Sequence, residues 1–336
     1  MTIVIVGAGS WSTALGKLLA EKGKKVFLLA RRGEVAEAIN ARHENPFYLP
    51  RIKLPQNLAA TTEPAVLKEA QLIVLAVPSH ALRTVLTRLR PYLKDPVPLV
   101  STIKGIEEET QATMSQVVRE TLPRPWHPYY TVLSGPSFAE EVARELPTAV
   151  TIAGLEEEIT TLVQETFATS YFRTYRTQDV LGVELAGALK NVVAIAVGIS
   201  DGLGLGLNAR AALITRGLAE MTRLGLRLGA NPLTFSGLAG LGDLVLTCTG
   251  PLSRNRSVGL KLGQGKRLKD ILAEMTQVAE GVRTAASVQA LARKYGVEMP
   301  ICTAVYQVLY QDQDPVQMAH QLLSRRLKDE FDGIQV

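Results

Sequence analysis

The sequence predicts an α/β domain with a mainly parallel sheet, followed by an all-α domain. In the first half, short apolar runs alternate with helix-like segments, whereas only helix-like segments follow residue 178. The chain has 336 residues, 46% of them hydrophobic, which is enough for two separate cores. We therefore expect one domain over residues 1–178 and a second over residues 179–336.

The apolar runs of the first half are continuous, as expected for strands that helices cover on both faces. A helix over residues 12–22 is expected between the first two of them, ending at Gly23. Strand–helix–strand alternation implies parallel pairing with right-handed crossovers. The expected strands are Thr2–Val6, Lys25–Leu29, Gln71–Val77, Leu99–Thr102, Tyr130–Leu133, Ala149–Ala153 and Tyr171–Tyr175.

Helical segments make up the second half, and the first of them is strongly apolar. It carries Glu184, Lys190 and Asn191, and charges at mid-membrane depth are costly, so we expect a buried helix rather than a membrane span. Asn208 is expected to cap the next helix. The expected helices are Val180–Ile199, Ala209–Leu228, Leu268–Met275, Thr284–Tyr295 and Ile301–Tyr310.

A glycine-rich turn joins the first strand to the first helix. Gly7 permits the tight turn, and Gly9 lets the backbone approach a pyrophosphate at the helix N-terminus. Ser12 replaces the usual third glycine, so the packing of helix against strand must adjust slightly. A glycine turn occurs in many α/β proteins, but the correct strand and helix favour a dinucleotide-binding domain of the Rossmann type.

Two arginines, Arg31 and Arg32, follow the second expected strand. NAD-specific sites usually have an acidic residue there, whereas arginine accommodates a 2′-phosphate. The pair therefore favours NADPH over NADH, although two solvated arginines at a strand end would look the same.

Composition excludes several other classes of protein. The net charge of +5 is dispersed, without a basic block interleaved with aromatics, so no nucleic-acid partner is expected. Cys248 and Cys302 are too far apart for a disulfide framework or a metal-binding spacing, and the histidines are scattered. With no leader-like N-terminus, these features predict a cytoplasmic protein without a metal.

Several polar residues stand where a bound ligand would explain them. Lys190 lies in an apolar helix, where a charge is expensive unless it has a partner, and a desolvated lysine can donate a proton to a carbonyl oxygen. A lysine snorkelling from the helix would fit that pattern equally well. Lys104 follows a parallel strand, at the edge where such folds bind ligands, although it would also fit an ordinary loop.

Three further segments also contain polar groups that a bound ligand would explain. Ser134–Ser137 offers hydroxyls and N–H groups at an expected helix start, with Ser137 as a possible cap. Arg254, flanked by Ser253 and Asn255, has the chemistry of a bidentate phosphate ligand, or of a flexible basic loop. Asp243 is suited to orienting a lysine or to accepting a hydrogen bond from a substrate hydroxyl.

These motifs occur together and in order in one known family. The chain resembles the bacterial NAD(P)-dependent glycerol-3-phosphate dehydrogenases along essentially its whole length. The resemblance is carried by GAGSWSTAL at 7–15, STIKGIE at 101–107, LSGPSFAEEVA at 133–143, the long segment 184–221, GLAGLGDLVLTC at 237–248, SRNR at 253–256 and VAEGV at 278–282.

The resemblance implies roles that spacing does not supply. Lys190 matches the family's catalytic lysine, and we expect Lys104 and Asp243 to act beside it. The positions that match substrate contacts are Lys104, Gly135, Ser137, Lys190, Asp243, Thr247, Ser253, Arg254 and Asn255. The positions expected to contact the cofactor are Gly7, Gly9, Ser10, Trp11, Arg31, Arg32, Lys104, Ala139, Arg254, Val278 and Glu280.

The reaction that the resemblance implies is reversible reduction of dihydroxyacetone phosphate to sn-glycerol 3-phosphate by NADPH or NADH, supplying phospholipid synthesis. A homodimer is the expected assembly. Two alternatives stay open at this point. A dehydrogenase of the 3-hydroxyacid or 6-phosphogluconate type would act on a carboxylate substrate, and a non-catalytic dinucleotide sensor would bind cofactor without turnover.

Overall fold

The computed structural model describes residues 1–275 and 279–334. By its internal contacts the chain divides into two compact units. The first comprises Met1–Ile103 and Met114–Val180, and the second comprises Lys104–Thr113 and Leu181–Val336. The expected division after residue 178 falls close to the observed change at Val180, but the short segment 104–113 belongs with the second unit.

The first unit is built on an eight-stranded sheet in the order β3-β2-β1-β4-β5-β6-β7-β8. All neighbouring strands are parallel except β6 and β7, which confirms the mainly parallel sheet. The strands are β1 Thr2–Val6, β2 Lys25–Leu29, β3 Leu58–Thr61, β4 Leu72–Leu75, β5 Leu99–Ser101, β6 Tyr130–Ser134, β7 Thr148–Gly154 and β8 Phe172–Thr177.

Six α-helices accompany this sheet. They are α1 Ser10–Glu21, α2 Gly33–Arg42, α3 Leu82–Leu89, α4 Met114–Thr121, α5 Ala139–Ala143 and α6 Glu157–Phe167. Strand β3 was missed because LAAT is short and rich in alanine, which has little preference for strands. The sheet order reverses between β1 and β4, and ligands of such sheets bind beside the carboxyl ends at that point.

Among the described residues of the second unit, the regular secondary structure is helical, apart from an isolated bridge between Ile106 and Thr113. Its helices are α7 Val180–Gly202, α8 Gly206–Leu228, α9 Pro232–Ser236, α10 Asp243–Thr249, α11 Arg254–Gly263, α12 Leu268–Ala273, α13 Glu280–Tyr295, α14 Pro300–Tyr310 and α15 Pro315–Leu323. A π-helical turn over Leu238–Gly242 precedes α10. The expected cap at Asn208 is wrong, because α8 begins at Gly206 and Asn208 lies inside its first turn.

Helix α7 is the centre of the second unit's core. It is long and apolar enough to cross a membrane by length and composition, but 94% of its most apolar stretch is buried within the protein. Leu189, Val192 and Val193 are fully buried among residues of the other helices. Its apolar character is therefore explained by packing inside this unit.

Glycines bring α7 and α11 into backbone contact. A Cβ on Gly259 would lie 2.1 Å from the carbonyl oxygen of Ile195, and one on Gly198 would lie 2.2 Å from that of Arg256. Gly202 and Gly263 meet in the same way one turn further along. Four glycines thus set the spacing of the two helices, which carry Lys190 and Arg254.

We expect Gly259→Ala to destabilise the protein by about 2 kcal/mol, because the added methyl group forces two backbones apart. Thermal unfolding followed by circular dichroism would show a clear fall in Tm. Gly33→Ala is the control: a Cβ there meets only a flexible Glu37 oxygen at 4.0 Å. Equal Tm values for the two variants would contradict the close packing of α7 on α11.

Candidate functional site

The second unit holds a cluster of two lysines, one aspartate and one threonine, all buried except the half-buried Lys104. Lys190 projects from the middle of α7, and its Nζ donates to Asp243 Oδ1 at 2.6 Å and to Thr247 Oγ1 at 2.7 Å. Lys190 is 5% exposed and Asp243 1% exposed. The ion pair with Asp243 thus offsets the free-energy cost of burying the Lys190 charge in this apolar helix.

Lys104 approaches the same carboxylate from the other side. Its Nζ donates to Asp243 Oδ2 at 2.6 Å, so each carboxylate oxygen of Asp243 accepts from a different lysine. Lys104 begins the segment 104–113, and Ser287 of α13 donates to the carbonyl of Ile106 in that segment. The segment therefore belongs with the helical unit although it follows strand β5.

Helices α9 and α10 place Asp243 and Thr247. A Cβ on Gly240, in the π-helical turn, would lie 2.1 Å from the carbonyl oxygen of Phe235, so only glycine allows this turn. Thr247 lies one helical turn beyond Asp243 and donates its hydroxyl hydrogen to the carbonyl oxygen of Asp243 at 2.6 Å. That bond leaves the oxygen lone pairs of Thr247 to accept from Lys190.

Burial and charge act in opposite directions on this cluster. Burial lowers the pKa of Lys190 to about 8, although the attraction of Asp243 works to raise it and the repulsion of Lys104 lowers it further. For Asp243, burial opposes ionisation, but the charges of Lys104 and Lys190 outweigh it and hold the pKa of the carboxyl below its usual value. Asp243 is therefore an anion, and Lys190 is a cation that gives up its proton readily.

A second polar chain runs beside this cluster. Asn255 Nδ2 donates to Asn191 Oδ1 at 2.8 Å, and the backbone N–H of Gly281 donates to Asn255 Oδ1 at 3.0 Å. Ser253 caps α11 by accepting from the N–H of Arg256. These bonds join three segments of the sequence, through Asn191, Asn255 and Gly281, and Asn191 is the residue next to Lys190.

Arg254 and Glu280 lie at the beginnings of two helices of this unit. Arg254 is the exposed first residue of α11, and Glu280 is the half-buried first residue of α13. The charge of Glu280 acts on Arg254. The expected cofactor contact Val278 lies outside the described residues.

In the first unit, the glycine turn has the geometry that a nucleotide phosphate requires. Gly7 has a φ of +123°, and a Cβ there would lie 2.5 Å from the carbonyl oxygen of Ala76 beyond β4. A Cβ on Gly9 would meet nothing within 4 Å, so open space lies over the N-terminus of α1, which no side chain caps. This cradle fits a pyrophosphate group.

Three other residues of the turn are accounted for. Ser12 is buried, and its hydroxyl donates to Ala76 O at 3.4 Å, which is how the missing third glycine is accommodated. Ser10 donates to the carbonyl oxygen of Tyr48 at 2.6 Å. Trp11 is partly buried against the first unit's core.

The two arginines after β2 differ in their surroundings. Arg32 stacks its guanidinium over the rings of Phe47 and Tyr48 and pairs with Glu34 at 3.1 Å. Arg31 is exposed, and among the described residues it makes neither a hydrogen bond nor an ion pair. Arg31 is therefore the more available of the two for a ligand phosphate.

The turn after β6 differs from expectation in one respect. Ser137 does not cap a helix, because α5 begins at Ala139 with Phe138 before it, and the Ser137 hydroxyl donates to Gly135 O instead. Gly135 is required sterically: a Cβ there would lie 2.9 Å from Val150 Cα. Gly135, Ser137 and Ala139 all belong to the first unit.

The predicted residues are thus distributed over the two units. The structure brings Lys104, Asp243 and Thr247, all of them expected site residues, together with Lys190, whereas the bond from Asn255 to Asn191 was not expected. Among the described residues, no group of three histidine, cysteine or acidic side chains is placed to hold a metal. The second unit holds Lys104, Lys190, Asp243, Thr247, Ser253, Arg254, Asn255 and Glu280, whereas the first holds Gly7, Gly9, Ser10, Trp11, Arg31, Arg32, Gly135, Ser137 and Ala139.

Comparison with known proteins gives concordant results for both units. The sequence-family model for the N-terminus of NAD-dependent glycerol-3-phosphate dehydrogenase matches residues 2–160. The family model for the C-terminus of the same enzyme matches residues 179–320. The chain is 53% identical to a glycerol-3-phosphate dehydrogenase (NAD(P)+) of Syntrophobacter fumaroxidans, over 98% of this chain and 97% of that protein. It is 54% identical to one from a Geobacter species, over 98% of each chain.

A solved structure agrees. The crystal structure of glycerol-3-phosphate dehydrogenase from Coxiella burnetii superimposes with a TM-score of 0.92 at 42% identity, covering 96% of this chain and 99% of that one.

Proposed function

Because the chain belongs to the family of NAD-dependent glycerol-3-phosphate dehydrogenases, we propose that it catalyses the reversible, NAD(P)H-dependent reduction of dihydroxyacetone phosphate to sn-glycerol 3-phosphate. The product supplies glycerophospholipid synthesis. The observation that carries this function is the buried Lys190–Asp243–Lys104 cluster, which holds a proton donor with a lowered pKa.

Lys190 is the proton donor. When bound, the reduced nicotinamide supplies the hydride that C2 of the substrate accepts. The Lys190 ammonium hydrogen-bonds the carbonyl oxygen, stabilises its developing negative charge and transfers a proton to it. In oxidation, the neutral amine accepts the proton from the hydroxyl group of the product.

Asp243 and Thr247 are positioning residues. Both accept from Lys190 Nζ, and these two bonds leave the third ammonium hydrogen for the substrate. Lys104 holds the other oxygen of Asp243 and adds positive charge beside the substrate oxygen. Burial of the cluster strengthens each of these interactions, because little water screens them.

The phosphate group of the substrate is bound by Arg254 with Asn255 and Ser253. Asn255 is fixed by Asn191 and by the backbone of Gly281, so the start of α11 is tied to the residue next to Lys190. Binding energy from the phosphate thereby orients the carbonyl at Lys190. Gly135 and Ser137 complete the substrate contacts. In this proposal the second unit supplies the chemistry, and residues 1–178 supply most of the contacts to the dinucleotide.

The residues proposed to hold the cofactor come from both units. They are Gly7, Gly9, Ser10, Trp11, Arg31, Arg32, Lys104, Ala139, Arg254 and Glu280. The uncapped N-terminus of α1 receives the pyrophosphate. We propose that the protein is a cytoplasmic homodimer, since both cysteines are free and buried, as suits a reducing compartment, and two-fold dimers are the commonest soluble oligomers. Sedimentation equilibrium tests the assembly.

The decisive experiment measures oxidation of NADPH and NADH with dihydroxyacetone phosphate as the substrate. We expect saturable turnover with both cofactors. Turnover of a hydroxyacid or of 6-phosphogluconate, with none of dihydroxyacetone phosphate, would favour the alternative dehydrogenases, and cofactor binding without any turnover would favour a sensor.

The pH dependence of the two directions should be opposite. Since the pKa of Lys190 is about 8, the protonated donor is lost as pH rises through that value, and kcat for reduction falls. Initial rates of glycerol 3-phosphate oxidation rise over the same range, because the neutral amine is then the acceptor. Parallel profiles in the two directions would exclude Lys190 as the proton donor.

Cofactor choice should depend on Arg31. We expect Arg31→Ala to raise KM for NADPH about tenfold while leaving KM for NADH nearly unchanged, because only NADPH carries a 2′-phosphate. Steady-state kinetics with both cofactors tests this. In the wild type, a kcat/KM ratio strongly in favour of NADH would contradict the predicted use of NADPH.

A further inference from the structure

The second unit contains a cavity of about 540 Å³ that is separate from the Lys190 cluster. Helices α7, α8, α14 and α15 line it, together with residues 325–330 and 332 beyond α15. None of Lys104, Lys190, Asp243, Thr247 or Arg254 is among its lining residues. Its volume is in the range of small-molecule sites in proteins.

The walls of this cavity are mostly apolar. Ile199, Val305 and Met318 contribute to them from three different helices, and all three are less than 9% exposed. The walls therefore favour an alkyl chain, since removing its surface from water releases free energy in proportion to the area buried.

The lining of the cavity includes arginines whose guanidinium groups are not bound to a carboxylate. Arg216, Arg223 and Arg326 line it, and none of the three is in an ion pair within the described residues. Arg216 donates to the carbonyl oxygen of Glu330, and Arg223 donates to that of Glu298. Guanidinium groups bonded only to carbonyls keep donors and charge for an anion.

The other two cations at this mouth are already neutralised. Arg325 and Lys328 both pair with Glu298, and Lys328 also pairs with Asp332 at 2.8 Å. Asp329 and Glu330 also line the cavity and are in no ion pair within the described residues, so beyond Glu220 the three unpaired arginines exceed the unpaired carboxylates by one.

The inner wall determines how an amphipathic ligand would lie. Glu220 is 1% exposed and lines the cavity, and its carboxyl oxygens accept from the N–H groups of Ile301 and Cys302 at 2.7 and 3.1 Å. These acceptor oxygens disfavour an anionic head at that depth. An anionic head is thus restricted to the arginines at the mouth, and its chain points inward.

We propose that this cavity binds an amphipathic anion with one long alkyl chain, of the fatty-acid type, with its head at Arg216, Arg223 and Arg326. The three unpaired guanidinium groups and the apolar walls together favour this occupant. The site is independent of the reduction reaction.

The test uses cis-parinaric acid, a fatty acid that fluoresces in apolar surroundings, titrated into the full-length protein below its critical micelle concentration. We expect saturable binding, displaced by palmitate. The methyl ester of the probe, which lacks the charge, should bind about tenfold more weakly. Binding at the micelle threshold only, or no saturation, would overturn the proposal.

Two variants separate head recognition from chain burial. Arg216→Gln combined with Arg326→Gln should weaken acid binding about tenfold and leave ester binding unchanged. Ala319→Phe, which fills part of the cavity, should weaken both ligands. Arg88→Gln, an exposed arginine of α3, is the matched control and should bind like the wild type. If the wild type bound the acid no more tightly than the ester, or if the double variant bound the acid as tightly as the wild type does, the assigned head site would be wrong.

Discussion

Replacing Lys190 with alanine should lower kcat for dihydroxyacetone phosphate reduction by about a hundredfold or more, the usual cost of losing a positioned proton donor. The same substitution removes a charge that lies beside the developing alkoxide, so the loss should fall mainly on kcat rather than on KM. Steady-state kinetics at pH 7 with saturating NADPH measures both parameters.

Two further variants separate chemistry from packing. Lys190→Met keeps most of the buried volume and should be as inactive as Lys190→Ala, but closer to wild type in Tm. Lys17→Met is the matched control: Lys17 is another buried, ion-paired lysine, bonded to Glu145 in the first unit. That variant should lose stability and keep kcat. Near-wild-type kcat in Lys190→Ala would show that the proposed mechanism is wrong.

Asp243→Asn should have the second-largest effect, through the pKa of Lys190. The charge of Asp243 raises that pKa, whereas burial and the charge of Lys104 lower it. Without the carboxylate, the pKa of Lys190 must fall well below 8, and the amine becomes largely neutral near pH 7. We expect kcat for reduction to fall about a hundredfold at pH 7, and the pH profile to shift toward acid.

A purely structural role for Asp243 would not shift the profile. Breaking a buried ion pair by removing one partner costs about 3 kcal/mol, which would also lower Tm. Thr247→Val is the companion variant, because it removes one acceptor of Lys190 without changing the charge. It should reduce kcat less and leave the profile near its wild-type position. An unshifted profile in Asp243→Asn would contradict the electrostatic role.

The sequence predicted correctly the structural features whose residues are consecutive in the chain. The apolar run of β1, the glycine turn and α1 are consecutive in sequence, so the nucleotide fold was predictable and is confirmed. The helical character of the second half is likewise confirmed over its described residues. Strand β3 and the helices α9, α10, α11 and α15 were missed, and β3, α9 and α10 are too short to show a clear period.

Close backbone approaches were also missed. No local signal marks the glycines of α7 and α11 as contact residues, and only their contacts across 61 positions of sequence, as between Gly198 and Gly259, reveal why they must be glycine. The assignment of the segment 104–113 to the helical unit has the same cause, because its contacts with α13 are distant in sequence.

The sequence by itself determined the α/β-then-α organisation, the phosphate cradle and the presence of an unexplained lysine in an apolar helix. Hydrophobic period and glycine spacing are local properties, so they can be seen without a fold. The tertiary structure decided what surrounds Lys190, because its partner Asp243 lies 53 residues away and Lys104 lies 139 residues from Asp243. A lowered pKa arises from burial and neighbouring charges, and both exist only once the chain has folded.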